Sequence, residues 1–354
     1  MLNPEQQEAV EHFGSPLLII AGAGSGKTTV LTHKIAYMIQ EMGVYPENIL
    51  GITFTNKAAR EMKERVGRIL GDSGKPYLST FHSFCADVLR KDFHYLGRSR
   101  DFVILDYADQ IRALKTVMKL HNVDPDQYAP SAMLSTIHWF KNQGISVQEA
   151  QNLASFHAQQ KMIYGAYQQY LAQNQSVDFD DLLHHTVTLF FKNPEVLEKY
   201  QDQFPFLMID EYQDTNPIQY RLTRLLAAKY QNITVVGDFD QTIYAFRGAN
   251  VRNILNFETD YPTAKVIRLE QNYRSTKTIL ELANGLIQNN TQRKDKNLWT
   301  DNVEGEKAYL FKGLDEKEES LFIENKIKSL QSKIGLQNMV ILYRTNAQSR
   351  VLED

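Results

Sequence analysis

The chain has 354 residues, 43% hydrophobic and 23% charged, with a net charge of -3. That composition excludes wholesale disorder, and at roughly 150 residues per domain the length anticipates two or three domains. The single cysteine, Cys85, excludes an internal disulfide framework and a cysteine-rich zinc site, so a reducing, cytoplasmic setting is expected. No apolar run approaches the roughly 20 residues of a membrane span, and Met1-Leu2-Asn3-Pro4-Glu5 has neither the basic start nor the apolar core of a signal peptide. No membrane partner is expected. Near-neutral charge confines any nucleic-acid surface to a local patch.

Leu17-Leu18-Ile19-Ile20 reads as a buried strand, followed by a glycine-rich turn and a helix over about 27–41. A second strand over 49–54 precedes a helix over 58–70, where Ala58, Ala59, Met62, Val66 and Ile69 form one apolar stripe. Strand–helix alternation of this kind predicts a parallel sheet covered on both faces. From about 105 to 175 strand signals fade and helical patterns dominate, which predicts a helical insertion. Apolar strands return at 206–209, 233–236 and 266–269. Beyond Asn272 the pattern predicts helices over 276–290 and 316–333 and strands near 308–311 and 339–343.

Three segments carry chemistry. Ala21-Gly22-Ala23-Gly24-Ser25-Gly26-Lys27-Thr28 follows a strand and opens a helix, the context that distinguishes a phosphate loop from a chance match. Its backbone N–H groups and the helix N-terminus suit phosphate oxygens. Lys27 would reach the β and γ phosphates, and the Thr28 hydroxyl would ligate Mg²⁺. Phe206-Leu207-Met208-Ile209-Asp210-Glu211 is an apolar strand that delivers two carboxylates to the C-terminal edge of the sheet, where α/β proteins bind ligands. Asp210 would hold Mg²⁺ and Glu211 would polarise an attacking water. In Gly237-Asp238-Phe239-Asp240-Gln241-Thr242-Ile243-Tyr244, Gln241 is suited to sense the γ-phosphate, although the segment alone could be a plain acidic turn. The His184-His185 pair has no partners at metal-ligand spacing and is expected to be structural.

With these elements in order, the chain resembles the N-terminal part of superfamily 1 helicases of the UvrD/PcrA/Rep family. Leu2-Asn3-Pro4-Glu5-Gln6-Gln7 is similar to that family's adenine-reading glutamine motif, with Gln6 as the reader. Thr53-Phe54-Thr55-Asn56-Lys57-Ala58-Ala59 and Ser79-Thr80-Phe81-His82-Ser83 resemble its early single-strand DNA motifs. Asp210-Glu211-Tyr212-Gln213-Asp214 resembles its acidic motif. Leu269-Glu270-Gln271-Asn272-Tyr273-Arg274-Ser275-Thr276 and Tyr343-Arg344-Thr345-Asn346-Ala347-Gln348-Ser349-Arg350 resemble motifs of the second motor half.

The resemblance implies an α/β fold: a RecA-like P-loop NTPase parallel sheet (1–104 plus 178–267), a helical insertion subdomain (105–177) and a partial second RecA-like domain (268–354). It implies an ATP- and Mg²⁺-dependent 3′–5′ translocase and helicase acting on single-stranded DNA and duplex junctions, with repair or replication proteins as possible partners. Ala23, Gly24, Ser25, Gly26, Lys27, Thr28 and Thr29 would line the nucleotide. Tyr273 would stack on adenine, and Arg274 would be an arginine finger. Phe54, Tyr244 and Phe246 would stack on bases, and Asn56, Thr80 and His82 would touch DNA. Stacking on aromatic faces is worth roughly 1–3 kcal/mol per base and tolerates any sequence.

Thr29 stands where the family usually has arginine, which puts one wall of the base pocket in doubt, and Phe246 stands where it often has tryptophan. Family members are about twice as long. A further arginine at the γ-phosphate would lie beyond Asp354, a contact worth on the order of 10³–10⁵ in rate. Weak hydrolysis is therefore expected of this chain alone, and strands near 308 and 339 without sheet neighbours anticipate a C-terminal third that is mobile or ordered by contacts with another copy. Two alternatives stay open: a non-catalytic ATP- and nucleic-acid-binding module, and the motor part of a nuclease-fused recombination helicase.

Overall fold

The computed structural model describes residues 2–71, 74–245, 248–290 and 296–353. Two compact units comprise Met1–Asn302 and Val303–Asp354. The first contains strands β1 (Leu17–Ala21), β2 (Ile49–Thr53), β3 (Tyr77–Thr80), β4 (Val103–Ile104), β5 (Ser176–Val177), β6 (Phe206–Ile209), β7 (Ile233–Gly237) and β8 (Lys265–Leu269). Six of them form one sheet in the order β3-β2-β6-β7-β1-β8, with every pairing parallel.

Each central strand is apolar along its length because both faces are covered. Leu18, Ile20, Leu50, Ile52, Ile209 and Val235 feed one core, while Leu17, Ile19, Ile49, Met208, Val236 and Ile267 feed the other. This period-two division follows from the strand pleat. The second core is completed by helices α1 (Pro4–Glu11), α2 (Lys27–Gln40) and α3 (Asn56–Leu70). Across the sheet lie α4 (Phe81–Asp92) and, later in the chain, the helices Phe179–Lys192, Pro194–Gln203 and Pro217–Ala227. The expected parallel α/β sheet is present.

Between β4 and β5 run α5 (Tyr107–Leu120), α6 (Pro130–Asn142), α7 (Val147–Gln151) and α8 (Ala158–Gln173). They bury a core of their own around Leu114, Leu134, Ile137, Phe140 and Tyr164. The helix that follows β5 is α9 (Phe179–Lys192). Its N-cap, Asp178, shares a capping box with Asp181. A fully buried ion cluster joins α6 to this cap: the Lys141 Nζ lies 2.5 Å from Asp178 Oδ2 and 2.8 Å from Asp181 Oδ1.

The second unit contains the helices Glu316–Leu330 and Ser349–Glu353, with Phe311 stacked on Phe322 at 4.1 Å. The stretches 308–311 and 339–343, expected as strands, pair with no partner strand among the described residues. Leu310 and Leu342 are largely exposed, so apolar, β-prone composition here is not matched by a ladder.

Candidate functional site

The loop between β1 and α2 is cradled from below and above. Asn3 caps α1: its Oδ1 accepts from Gln6 N–H, and its own N–H donates to Gln6 Oε1. The Gln6 amide then donates to Ser25 O at 2.9 Å, so both ends of this buried side chain are engaged and Gln6 props the loop. Ser25 Oγ donates to Gly22 O. Gly24 (φ 67°) and Gly26 (φ 89°) adopt left-handed backbone, which lets the loop turn into α2. A Cβ on Gly24 would lie 2.7 Å from Asn272 Nδ2.

That asparagine closes the loop from above. Its amide donates to Ala23 O at 2.6 Å, and its Oδ1 accepts from the backbone N–H of both Arg274 and Ser275. Tyr273 N–H donates to Gly24 O at 3.0 Å. The segment after β8 is thus pinned across the phosphate loop, with the Arg274 side chain exposed beside it. The exposed Tyr273 ring is steadied by its hydroxyl, which donates to Gln271 Oε1, an atom that also accepts from Asn3 Nδ2. Thr28 and Thr29 lie partly buried in the first turn of α2, and Thr29 O accepts from Thr32 and His33.

Lys27, Glu211 and Gln241 converge. The Lys27 Nζ donates to Glu211 Oε2 at 3.0 Å and to Gln241 Oε1 at 3.2 Å. Glu211 holds a left-handed backbone (φ 51°), an uncommon conformation for a non-glycine residue and one that clusters at functional sites. Gln213 locks the arrangement, donating to Glu211 Oε2 at 2.8 Å while its Oε1 accepts from Asp238 N–H at 3.0 Å. Gln241 Nε2 donates to Asp238 Oδ2, and the Lys296 ammonium bridges Asp238 and Asp240. Burial, reinforced by the neighbouring Glu211 charge, pushes the Asp210 carboxyl up to about 7. A cation would relieve that strain on the charged form. One buried carboxylate, one hydroxyl and a row of backbone N–H groups therefore fit Mg²⁺ with a polyphosphate, since Mg²⁺ keeps waters and phosphate oxygens among its ligands.

The residues expected at DNA gather beyond the ends of β2, β3 and β7. The half-buried Phe54 and Tyr244 rings pack at 4.8 Å. Asn56 is exposed at the first turn of α3. Thr80 is engaged as the cap of α4, its Oγ1 accepting from Ser83 N–H. His82 lies against Phe179 at 4.4 Å, and burial lowers its pKa to about 4. A neutral ring at pH 7 suits a base better than a phosphate. Phe246 lies outside the described residues. Tyr212, from the acidic motif, is a core residue with no exposure.

Sequence reasoning gave no role to Asn272, Gln213, Lys296 or Phe179. For Phe179 a signal existed, an aromatic at the first helical position after an Asp cap. Gln213 and Asn272 lie within quoted motifs, but they and Lys296 also act through contacts 25 to 249 residues apart in sequence, which no local pattern carries.

A profile of the UvrD/REP helicase N-terminal domain matches residues 2–262, and one of the UvrD-like helicase C-terminal domain matches residues 267–354. The chain is 53% identical over 358 residues to the ATP-dependent DNA helicase PcrA of Bacillus subtilis, an alignment covering 100% of this chain and 48% of that protein. It is 51% identical over 357 residues to the same-named helicase of Staphylococcus aureus, covering 100% and 49%. The chain spans about half the length of the curated relatives it matches. With the two profiles matched in order along its whole length, the chain belongs to the UvrD/REP helicase family.

Proposed function

We propose that this chain carries the ATP-fuelled half of a DNA helicase that moves 3′ to 5′ along single-stranded DNA and opens duplex at junctions. Within it, 1–104 and 178–267 are read as the first motor domain, 105–177 as a helical insertion, and 268–354 as part of the second. The C-terminal-domain profile opening at residue 267 supports that last boundary. The observation that carries the proposal is the convergence of Lys27, Glu211 and Gln241 within 3.2 Å beside a glycine loop.

Bound Mg-ATP would supply a cleavable phosphoanhydride and a charge-neutralising cation. The N–H groups of the loop from Ala23 to Thr28 would hold the phosphates, with Thr28 Oγ1 and Asp210 holding Mg²⁺. Lys27 would swing from Glu211 to the phosphates, exchanging one anionic partner for another. Glu211, released and kept in place by Gln213, would accept the proton of an attacking water. Gln241 would orient that water or sense its reaction, and Arg274 would reach the developing charge on the terminal phosphoryl group. Tyr273 would stack on the base, while Gln6, committed to Ser25 and Asn3, would act on the loop's shape. On the DNA side Phe54, Tyr244, Thr80, His82 and Asn56 would carry the strand, joined by Phe246, two residues after Tyr244 in sequence.

The test compares Lys27→Ala and Glu211→Gln with the parent chain. Lys27→Ala should abolish binding of a fluorescent ATP analogue with Mg²⁺. Glu211→Gln should keep binding and lower DNA-stimulated turnover on the order of 10²–10⁴-fold, the range for a lost general base. Unchanged analogue affinity in Lys27→Ala would refute the assignment.

A further inference from the structure

We propose that Trp139, in the helical segment, is a stacking platform for an unstacked base of single-stranded DNA. The inference rests on the nucleic-acid reading above and extends its surface to a residue outside the matched motifs. A cleft of about 650 Å³ separates α6 from the loops at the C-terminal edge of the sheet. Its size lies in the ~300–1,000 Å³ range of ligand sites. Phe54, His82, Trp139 and Phe179 are among its aromatic residues and Asn142 and Asn216 among its amides, and Asp180 and Asp214 also line it. Among the described residues lining it there is no lysine or arginine, so its chemistry is that of a base-holding slot and not of a phosphate track.

Helix α6 spends its inner face on packing: Ile137, Phe140 and Lys141 are all buried. Trp139 points elsewhere and is 44% exposed. The indole is nevertheless held in place. Phe156 backs it at 5.1 Å and Phe140 meets it edge-on at 5.7 Å. A ring already immobilised loses little freedom when a base stacks on it. Phe179, 53% exposed, presents a second ring in the same cleft, itself backed by the neutral His82 at 4.4 Å. The cleft amides are also ordered, with Asn216 Nδ2 donating to Asn142 Oδ1 at 2.6 Å. Two anchored aromatics from different elements, lining one cleft with hydrogen-bonded amides, form a site for a planar heterocycle with polar edges.

The chain has two tryptophans, so Trp299→Phe leaves Trp139 as the sole indole reporter. Titration of that variant with a short oligothymidylate should quench the indole emission, in step with the anisotropy of a fluorescein-labelled copy of the oligonucleotide. Trp139→Ala should weaken the anisotropy-measured affinity about tenfold, within the roughly 5- to 150-fold span of a lost base stack, and Trp139→Phe should recover most of it. Oligonucleotide binding with unchanged Trp139 emission and unchanged affinity in Trp139→Ala overturns this proposal and leaves the helicase reading standing. Absence of oligonucleotide binding in every variant, the parent chain included, overturns both.

Discussion

Replacing Lys141 with methionine should loosen the attachment of the helical segment to the sheet. The Lys141 ammonium sits between Asp178 Oδ2 at 2.5 Å and Asp181 Oδ1 at 2.8 Å, and all three side chains are at most 1% exposed. Burial alone would push the Asp181 carboxyl up, but Lys141 beside it holds it well below the usual carboxylate range. Methionine fills similar volume and removes the charge together with its N–H donors. Two carboxylates would then share a dry site, with Tyr167 and Gln168 as the remaining side-chain donors at 3.3 and 3.0 Å. Breaking a buried pair in this way costs about 3–5 kcal/mol. At roughly 1.4 kcal/mol per decade, amide exchange in α6 and at the start of α9 should accelerate about 10²–10⁴-fold. Neutralising the acids as well, with Asp178→Asn and Asp181→Asn in the same chain, should recover most of the loss, because asparagine keeps the helix cap and leaves no orphan charge. If Lys141→Met alone costs under about 1 kcal/mol, water reaches the cluster and the dry-site argument fails.

Asp180 and Gln213 offer two further tests. Burial, followed by the Asp178 charge, raises the Asp180 carboxyl to about 7. Between its ordinary 3.8 and 7 the folded chain holds a proton that the unfolded chain has lost, so this group's stabilising contribution falls as pH rises through that window. Asp180→Asn should therefore unfold at higher urea than the parent at pH 8, by at most about 4 kcal/mol, with the gap closing at pH 4; a constant gap across pH would refute the linkage. Gln213→Ala should leave nucleotide binding intact and reduce turnover on the order of tenfold or more, because Glu211 loses the amide that aims it. A drop in binding without a drop in turnover would count against a positioning role.

The inner strands β1, β2, β6 and β7 were legible because they are largely apolar runs between glycine or polar turns, a pattern that two-sided burial satisfies. The phosphate loop was legible because glycine, lysine and helix start are local. β3 escaped notice: it is four residues long and half polar, and it is a strand because β2 lies alongside, with Leu50 to Thr53 in register with Tyr77 to Thr80. Phe54 and Tyr212 are both aromatics inside polar motifs, and of the two only Phe54 is expected to stack on bases. One is half-buried against Tyr244, and the other lies wholly inside, because a short 3₁₀ turn after Glu211 rotates its ring into the core. Rotation of that kind depends on the left-handed backbone at Glu211, which residue type alone does not announce.

Under the proposed function, the same geometry brings the fuel and track surfaces close together. β2, β6 and β7 are successive strands of the sheet, and each leaves its C-terminal edge with a functional side chain: Phe54, Asp210 with Glu211, and Gln241 with Tyr244. Gln241, bonded to Lys27, is three residues from Tyr244, whose ring lies on Phe54. Gln213 ties the β6 loop to the β7 loop through Glu211 and the Asp238 N–H. Under the proposed function, any movement of Lys27 toward a phosphate must change the partners of both Glu211 and Gln241. The Gln241 change has only a three-residue path to the aromatic pair. Coupling between hydrolysis and strand movement then needs no distant relay, because adjacent strand ends already share one hydrogen-bonded network.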